Sequence, residues 1–203
     1  MIFPTNRGER DAIVKTIQSS RLDLVSLSPD FLRASLAGNL PEAEQLLDAS
    51  LPAGWPDCSD LLKLRLKQME DDPNYQPWSL RAMVLRSERL MVGHFGFHTQ
   101  PDAEYLKPYS PGAVEFGFEV FPPFRRRGYA REASLAMMNW AEQAHGIRKF
   151  VVSIRPDNIA SQALAAQLGF VRIGSHIDEV DGLEEILELR REGTSGLTHR
   201  PSQ

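Results

Sequence analysis

The sequence predicts a mixed α/β fold built around one sheet. Two observations carry this. From Leu80 to Phe97, and again from Ala113 to Val120, apolar residues form runs of strand length, whereas Leu61 to Met69 and Ala130 to Ala144 space them as helices do. From about Arg127 onward, helical and strand patterns alternate along the chain.

Taken in order, Met1 to about Ser20 is polar and lacks strong periodicity, which predicts a loose N-terminal arm or a short, poorly anchored helix. Leu22, Leu24, Val25 and Leu27 give a first strand. Ser28-Pro29-Asp30 is a helix start, with Ser28 as cap and proline at the first helical position; this helix stops near Gly38. A second helix starts at Pro41 with acids in its first turn, and a third carries Leu61, Leu62, Leu64, Leu66 and Met69 before Pro73. Leu80–Leu85 and Leu90–Phe97 are strands around a polar turn at Ser87-Glu88. The strand Ala113–Val120 leads through Phe121-Pro122-Pro123-Phe124 to a helix from about Arg127 to Ala144, with Gly146 as its C-terminal cap. Phe150–Ile154 is a strand, Asp157 or Asn158 caps a short helix that runs to Leu168 and is stopped by Gly169, and Phe170–Ile173 with Ile186–Leu189 is a closing antiparallel pair around Asp181-Gly182. The tail 192–203 reads as disordered, which leaves one domain over 21–191.

Composition bounds the function. A chain of 203 residues, 42% hydrophobic and 25% charged, suits one soluble globular domain with a sizeable core. A net charge of −4 gives no global field toward nucleic acid or an acidic membrane. The single cysteine, Cys58, excludes an intrachain disulfide and a cysteine-rich metal site. No apolar run is long enough to span a bilayer, and the first residues lack the apolar stretch of a signal peptide, so a cytoplasmic protein without metal is expected.

The chemistry concentrates in Ala113–Ala130. A helix N-terminus presents N–H donors that have no intrahelical partner, and its dipole favours an anion there. Arg125, Arg126 and Arg127 add cations just before it, and Gly128 lets the backbone approach a ligand closely. This combination reads as a diphosphate-binding turn. On the preceding strand the period of two puts Glu115, Gly117 and Glu119 on one face and Phe116, Phe118 and Val120 on the other. An acid flanked by apolar residues on a central strand is either paired, here with a neighbouring arginine, or functional.

These residues carry a family resemblance. Arg125-x-x-Gly128-x-Ala130 resembles the R/Q-x-x-G-x-G/A pyrophosphate loop of the GNAT superfamily of acyl-CoA-dependent N-acyltransferases. Its setting matches too: Glu115-Phe116-Gly117-Phe118 precedes it, a long helix follows, and Asn158-x-x-Ser161 then Leu168-Gly169-Phe170 resemble the second motif. In texture the chain is similar to ribosomal-protein-serine/alanine N-acetyltransferases.

The resemblance implies a single domain with a sheet of about seven strands, mixed, mostly antiparallel and splayed, flanked by helices. It implies acetyl-CoA as co-substrate, its pyrophosphate held by the backbone from Arg126 through Arg127, Gly128 and Tyr129 to Ala130, with Arg125 helping. The pantetheine arm would pair as an extra strand with Phe118, Glu119 and Val120, and Asn158 and Ser161 would meet it near the thioester. The acceptor would be a small-molecule amine or a protein N-terminus, the enzyme a monomer or homodimer.

Acyl transfer to an amine needs a base, an oxyanion site and a proton for the thiolate. Glu115 matches the family position of the base, with Glu119 second. Many members supply the proton from a tyrosine where this chain has Ala165, so Ser161 or water would replace it. Asn158 reads as a helix cap, a coenzyme ligand or both, and Ser161 equally as a first-turn residue bonding backbone. His94 and His98 share a strand face and would line an acceptor pocket or simply be hydrogen-bonded; no third ligand at suitable spacing makes them a zinc site. Trp55 and the Gln100–Gly112 loop are the expected acceptor wall. Two other classes remain open: a non-catalytic acyl-CoA-binding module, and a nucleic-acid binder, which would need a wider basic surface.

Overall fold

The structure is a computed structural model that describes residues 14–178 and 182–192. Residues 1–13 of the arm, the tail beyond 192 and Asp181 of the last turn lie outside the described residues. The strands are β1 (Ile17–Gln18), β2 (Leu22–Ser26), β3 (Arg81–Leu85), β4 (Leu90–Phe97), β5 (Val114–Val120), β6 (Lys149–Ile154), β7 (Val171–Asp178) and β8 (Gly182–Arg190). The helices are α1 (Pro29–Leu36), α2 (Leu40–Leu47), α3 (Ser59–Asp71), α4 (Tyr129–His145) and α5 (Ile159–Leu168). Among the described residues the strands are eight rather than about seven because Ile17–Gln18, within the stretch read as an arm, pairs with Asp23 and Leu24.

The chain divides into two compact units. One comprises the described part of Met1–Gln100 with Phe116–Trp140; the other comprises Pro101–Glu115 with the described part of Ala141–Gln203. In the first unit β1, β2, β3, β4 and the later residues of β5 form an antiparallel meander. α1 starts as its sequence dictates, with the Ser28 hydroxyl accepting from the Phe31 N–H at 3.2 Å and Pro29 in the first turn. Cross-strand partners share a face, so Phe97 opposite Phe116 and Phe95 opposite Phe118 gather aromatic rings on one side. Phe97 packs against Trp78, Phe95, Phe116 and Trp140, with ring centroids 5.2, 5.4, 6.2 and 6.1 Å away. The other side carries His94 opposite Glu119 and Gly96 opposite Gly117. β4 and β5 approach closely at Gly93, where an added Cβ would lie 2.2 Å from the Glu119 carbonyl oxygen.

A buried cation ties this unit together. The Arg81 guanidinium donates to the carbonyls of Lys15, Leu24 and Pro77 and lies 5.4 Å from the Trp140 ring; burial lowers its pKa to about 10.

In the second unit β6 pairs in parallel with the first residues of β5 and antiparallel with β8, and β8 pairs antiparallel with β7. Leu106, Ala113, Val151 and Ile186 form its buried cluster, with Ala103 and Ile173 against it. The closing pair is longer than the apolar runs predict. Gly174, Ser175, His176, Glu184 and Glu185 are polar or small, and a bulge between Arg172 and Gly174 breaks the alternation. The ladder between β5 and β6 contains only Val114–Phe150 and Glu115–Val151, although the strands run on to Val120 and Ile154.

Candidate active site

The turn that closes β5 has the backbone of an anion site. A single helical turn, Pro122–Phe124, leads to Arg125 in extended conformation, and α4 opens at Tyr129. Arg126 lies at φ +61° and Gly128 at φ +82°, two left-handed residues flanking Arg127. Left-handed residues alternating with ordinary ones turn successive N–H groups into a concavity that favours an anion. An arginine in that region is strained, and such strain persists where the surroundings fix it. The first bond of α4 runs from the Glu132 N–H to the Gly128 carbonyl at 3.0 Å, so the N–H groups of Tyr129, Ala130 and Arg131 have no helical acceptor.

The three arginines divide. Arg125 donates to the Val120 carbonyl at 2.8 Å and lies 3.5 Å from Glu119. Arg127 donates to the Pro123 carbonyl at 3.1 Å, with its guanidinium 5.7 Å from the Phe124 ring. Among the described residues, only Arg126 of the three makes no hydrogen bond or ion pair.

A fourth cation escaped the sequence reading. Arg21 donates to the Arg127 carbonyl at 3.0 Å, lies 4.6 Å from the Tyr129 ring, and pairs with Glu132 at 2.7 Å. Glu132 also accepts from the hydroxyls of Ser19 and Ser20 and the Arg21 N–H. Burial alone would raise its pKa, but these hydrogen bonds outweigh burial and hold it at about 2. The partners are more than 100 residues apart, and Arg21 stands in no motif, so nothing in the sequence marks it.

Beyond Gly117, β5 carries Phe118, Glu119 and Val120, paired with β4 on one edge. Glu119 is half exposed. Its Oε2 lies 3.6 Å from His94 Nε2, and that same nitrogen is 3.9 Å from Cys58 Sγ. The His94 side chain, opposed by burial and helped by Arg125, lowers the Glu119 pKa. Burial, with Asp57 and Glu119, pushes the Cys58 thiol up to about 11, which keeps it protonated and unreactive near neutral pH. The His98 ring lies over Gly117, its Nε2 3.0 Å from where a Cβ would stand.

Trp55 is core before it is wall. Its ring packs between Phe31 and Phe121, 6.1 and 6.0 Å away, and its indole N–H donates to Ser35 at 3.0 Å. It nonetheless borders a groove of about 290 Å³, together with Leu51, Asp57, Leu90, Phe121 and Phe124.

In the second unit Glu115 is only 5% exposed. Its Oε2 accepts from the Tyr105 hydroxyl at 2.8 Å and its Oε1 from the Ser153 hydroxyl at 2.5 Å. Asn158 caps α5, its Oδ1 accepting from the Ser161 N–H at 3.2 Å. Ala165 is buried. Among the described residues no group of three or more His, Cys, Asp or Glu could hold a metal ion.

The family described as Acetyltransferase (GNAT) domain matches residues 26–171. The chain belongs to the GNAT acetyltransferase family. This makes it an acetyl-CoA-dependent N-acetyltransferase, of α/β fold. It is 30% identical over 131 residues to the uncharacterized N-acetyltransferase YycN of Bacillus subtilis, covering 64% of this chain and 71% of that one. It is 23% identical over 175 residues to the FsC-acetyl coenzyme A-N(2)-transacetylase of Aspergillus fumigatus, covering 84% of this chain and 72% of the relative. In fold it is similar to the ribosomal-protein-S5-alanine acetyltransferase of Vibrio fischeri, with a TM-score of 0.59 at 13% identity over 87% of this chain and 96% of that structure.

Proposed function

We propose that this GNAT enzyme transfers the acetyl group of acetyl-CoA to a primary amine by direct attack in a ternary complex. The observation that carries the reading is the turn: left-handed Arg126 and Gly128, open N–H groups at the start of α4, and the uncommitted Arg126 charge. In this reading the backbone of Arg126, Arg127, Gly128, Tyr129 and Ala130 holds the coenzyme pyrophosphate. Arg125 and Arg21 set the local positive field.

The pantetheine arm pairs with Phe118, Glu119 and Val120. Support comes from the β5–β6 ladder, which stops at Glu115. Asn158 and Ser161 approach the arm near the thioester, and Asn158 does so while capping α5. Glu115 takes the proton of the attacking amine; Glu119 is the second candidate, disfavoured by a pKa lowered through His94. The likeness to a ribosomal-protein-S5-alanine acetyltransferase supports a protein or peptide N-terminus as acceptor, and the N(2)-transacetylase relative supports transfer to a nitrogen; a small-molecule amine is the other acceptor class proposed. A cytoplasmic location belongs to the same proposal; among the described residues no helix is long and apolar enough to cross a membrane.

The test is incubation with acetyl-CoA and a panel of primary amines and short peptides, following thiol release and product mass. The reading expects thiol release that depends on an amine, with one acetyl group added to that amine. No thiol release with any amine at any pH contradicts it.

A further inference from the structure

We infer that Tyr105 is the acid that protonates the departing thiolate, in a proton circuit closed through Glu115. This rests on the acetyl-transfer reading above. The family-like tyrosine position is the buried Ala165, so the proton must come from elsewhere. Tyr105 lies 60 positions earlier in sequence, on the loop before β5, and its hydroxyl is 2.8 Å from Glu115 Oε2.

The loop holds this residue firmly. Tyr105 sits in a short helical turn, Glu104–Leu106, whose Leu106 is buried against Ala113, Val151 and Ile186. The N–H groups of Tyr109 and Ser110 close back onto the Leu106 carbonyl at 3.0 and 2.8 Å. Tyr105 as a residue is nevertheless 47% exposed, with its hydroxyl bonded to a buried carboxylate.

The chemistry balances without another reactant. The amine nitrogen forms its bond to the acetyl carbon, and the bond from that carbon to sulfur breaks. The amine proton passes to Glu115, the Glu115 proton passes along the 2.8 Å hydrogen bond to the Tyr105 oxygen, and the Tyr105 proton goes to the sulfur. Amide and free thiol leave, and both side chains return to their starting states. Each carboxylate oxygen has two lone pairs, so Glu115 accepts from Ser153 and Tyr105 and still receives the amine proton. A phenol, with a pKa of about 10, is matched to an alkyl thiol of about 8.5 far better than a serine hydroxyl such as Ser161.

Among the described residues, this loop and the strands of its unit bring charged and hydroxyl groups of their own. On its own loop Lys107 pairs with Glu104 at 2.6 Å and lies 3.9 Å from Asp102. From β5 comes Glu115, from β6 the hydroxyl of Ser153 and the Lys149 ammonium, which donates to the Pro111 carbonyl. From β8 comes Glu188, bonded to Ser110 and Arg190.

The experiment compares kcat, KM and their pH profiles for the wild type and Tyr105→Phe, with thermal unfolding to show that both are folded. The expected result is a kcat lowered on the order of 100-fold, KM for acetyl-CoA within about twofold, and loss of the basic limb of the kcat profile. A merely structural tyrosine would leave that limb in place. An active wild type whose Tyr105→Phe variant keeps kcat and the basic limb overturns Tyr105 as the acid and leaves the acetyl-transfer reading standing. A wild type that transfers to no amine overturns both.

Discussion

Arg21 and Glu132 are 111 residues apart in sequence and meet at 2.7 Å, tying the start of β2 to the first turn of α4. The pair fixes the N-terminal end of α4, where the diphosphate site is proposed. Because Glu132 has its pKa depressed to about 2, against about 4.3 in an unfolded chain, its contribution is present above the unfolded value and is lost as pH falls toward 2. Glu132→Gln is therefore expected to lower stability at pH 7 by roughly 1–2 kcal/mol, a figure discounted for the half-exposed Arg21. The deficit shrinks between about pH 4.3 and 2, where the wild-type carboxylate also becomes neutral. Urea unfolding of both proteins across that range checks this.

The close approach of β4 and β5 makes Gly93 irreplaceable. A Cβ there meets the Glu119 carbonyl oxygen at 2.2 Å, and that oxygen is backbone, not a side-chain end able to swing away. Gly93→Ala is expected to destabilise by about 3 kcal/mol or to part the two strands. Denaturant titration gives the stability, and amide exchange at Phe118 to Val120 reports the strand pairing.

His94 is expected to set the titration of Glu119. It is the foremost cause of the lowered Glu119 pKa, ahead of Arg125. In His94→Gln the Glu119 pKa should move back up toward the ordinary carboxylate value. Carboxyl-carbon NMR titration measures the shift, and an unmoved Glu119 would show that its pairing with His94 carries no weight in solution.

Phe97 is fully buried with four aromatic neighbours. Phe97→Ala is expected to cost about 3–5 kcal/mol. Thermal or urea unfolding checks it.

Sequence reading found most of the elements because they announce themselves chemically. Ser28-Pro29 starts α1, Gly146 and Gly169 follow α4 and α5 in left-handed conformation, and the runs at β3, β4 and β5 are apolar enough to need burial. β1 was hidden because Ile17–Gln18 is too short to show a period, and the full length of β7 and β8 because glutamates and a bulge interrupt it. The turn was legible because its signal is local: three arginines and a glycine opening a helix. Arg21 was not, because only tertiary folding brings it there. Tyr105 lies in the Gln100–Gly112 loop that the sequence marks as acceptor wall, but its bond to Glu115 depends on the fold of the loop, which no spacing encodes.

The account stands or falls on the turn at Arg125–Ala130. Gly128 sits at φ +82° among the open N–H groups of α4, so Gly128→Glu would both strain the backbone and place a negative charge at the proposed diphosphate site. The decisive measurement is calorimetric titration of coenzyme A into the wild type and into Gly128→Glu, with thermal unfolding showing both folded. The account predicts saturable binding to the wild type and an affinity weakened on the order of 100-fold or more in the variant. Equal affinity in the two proteins would contradict it.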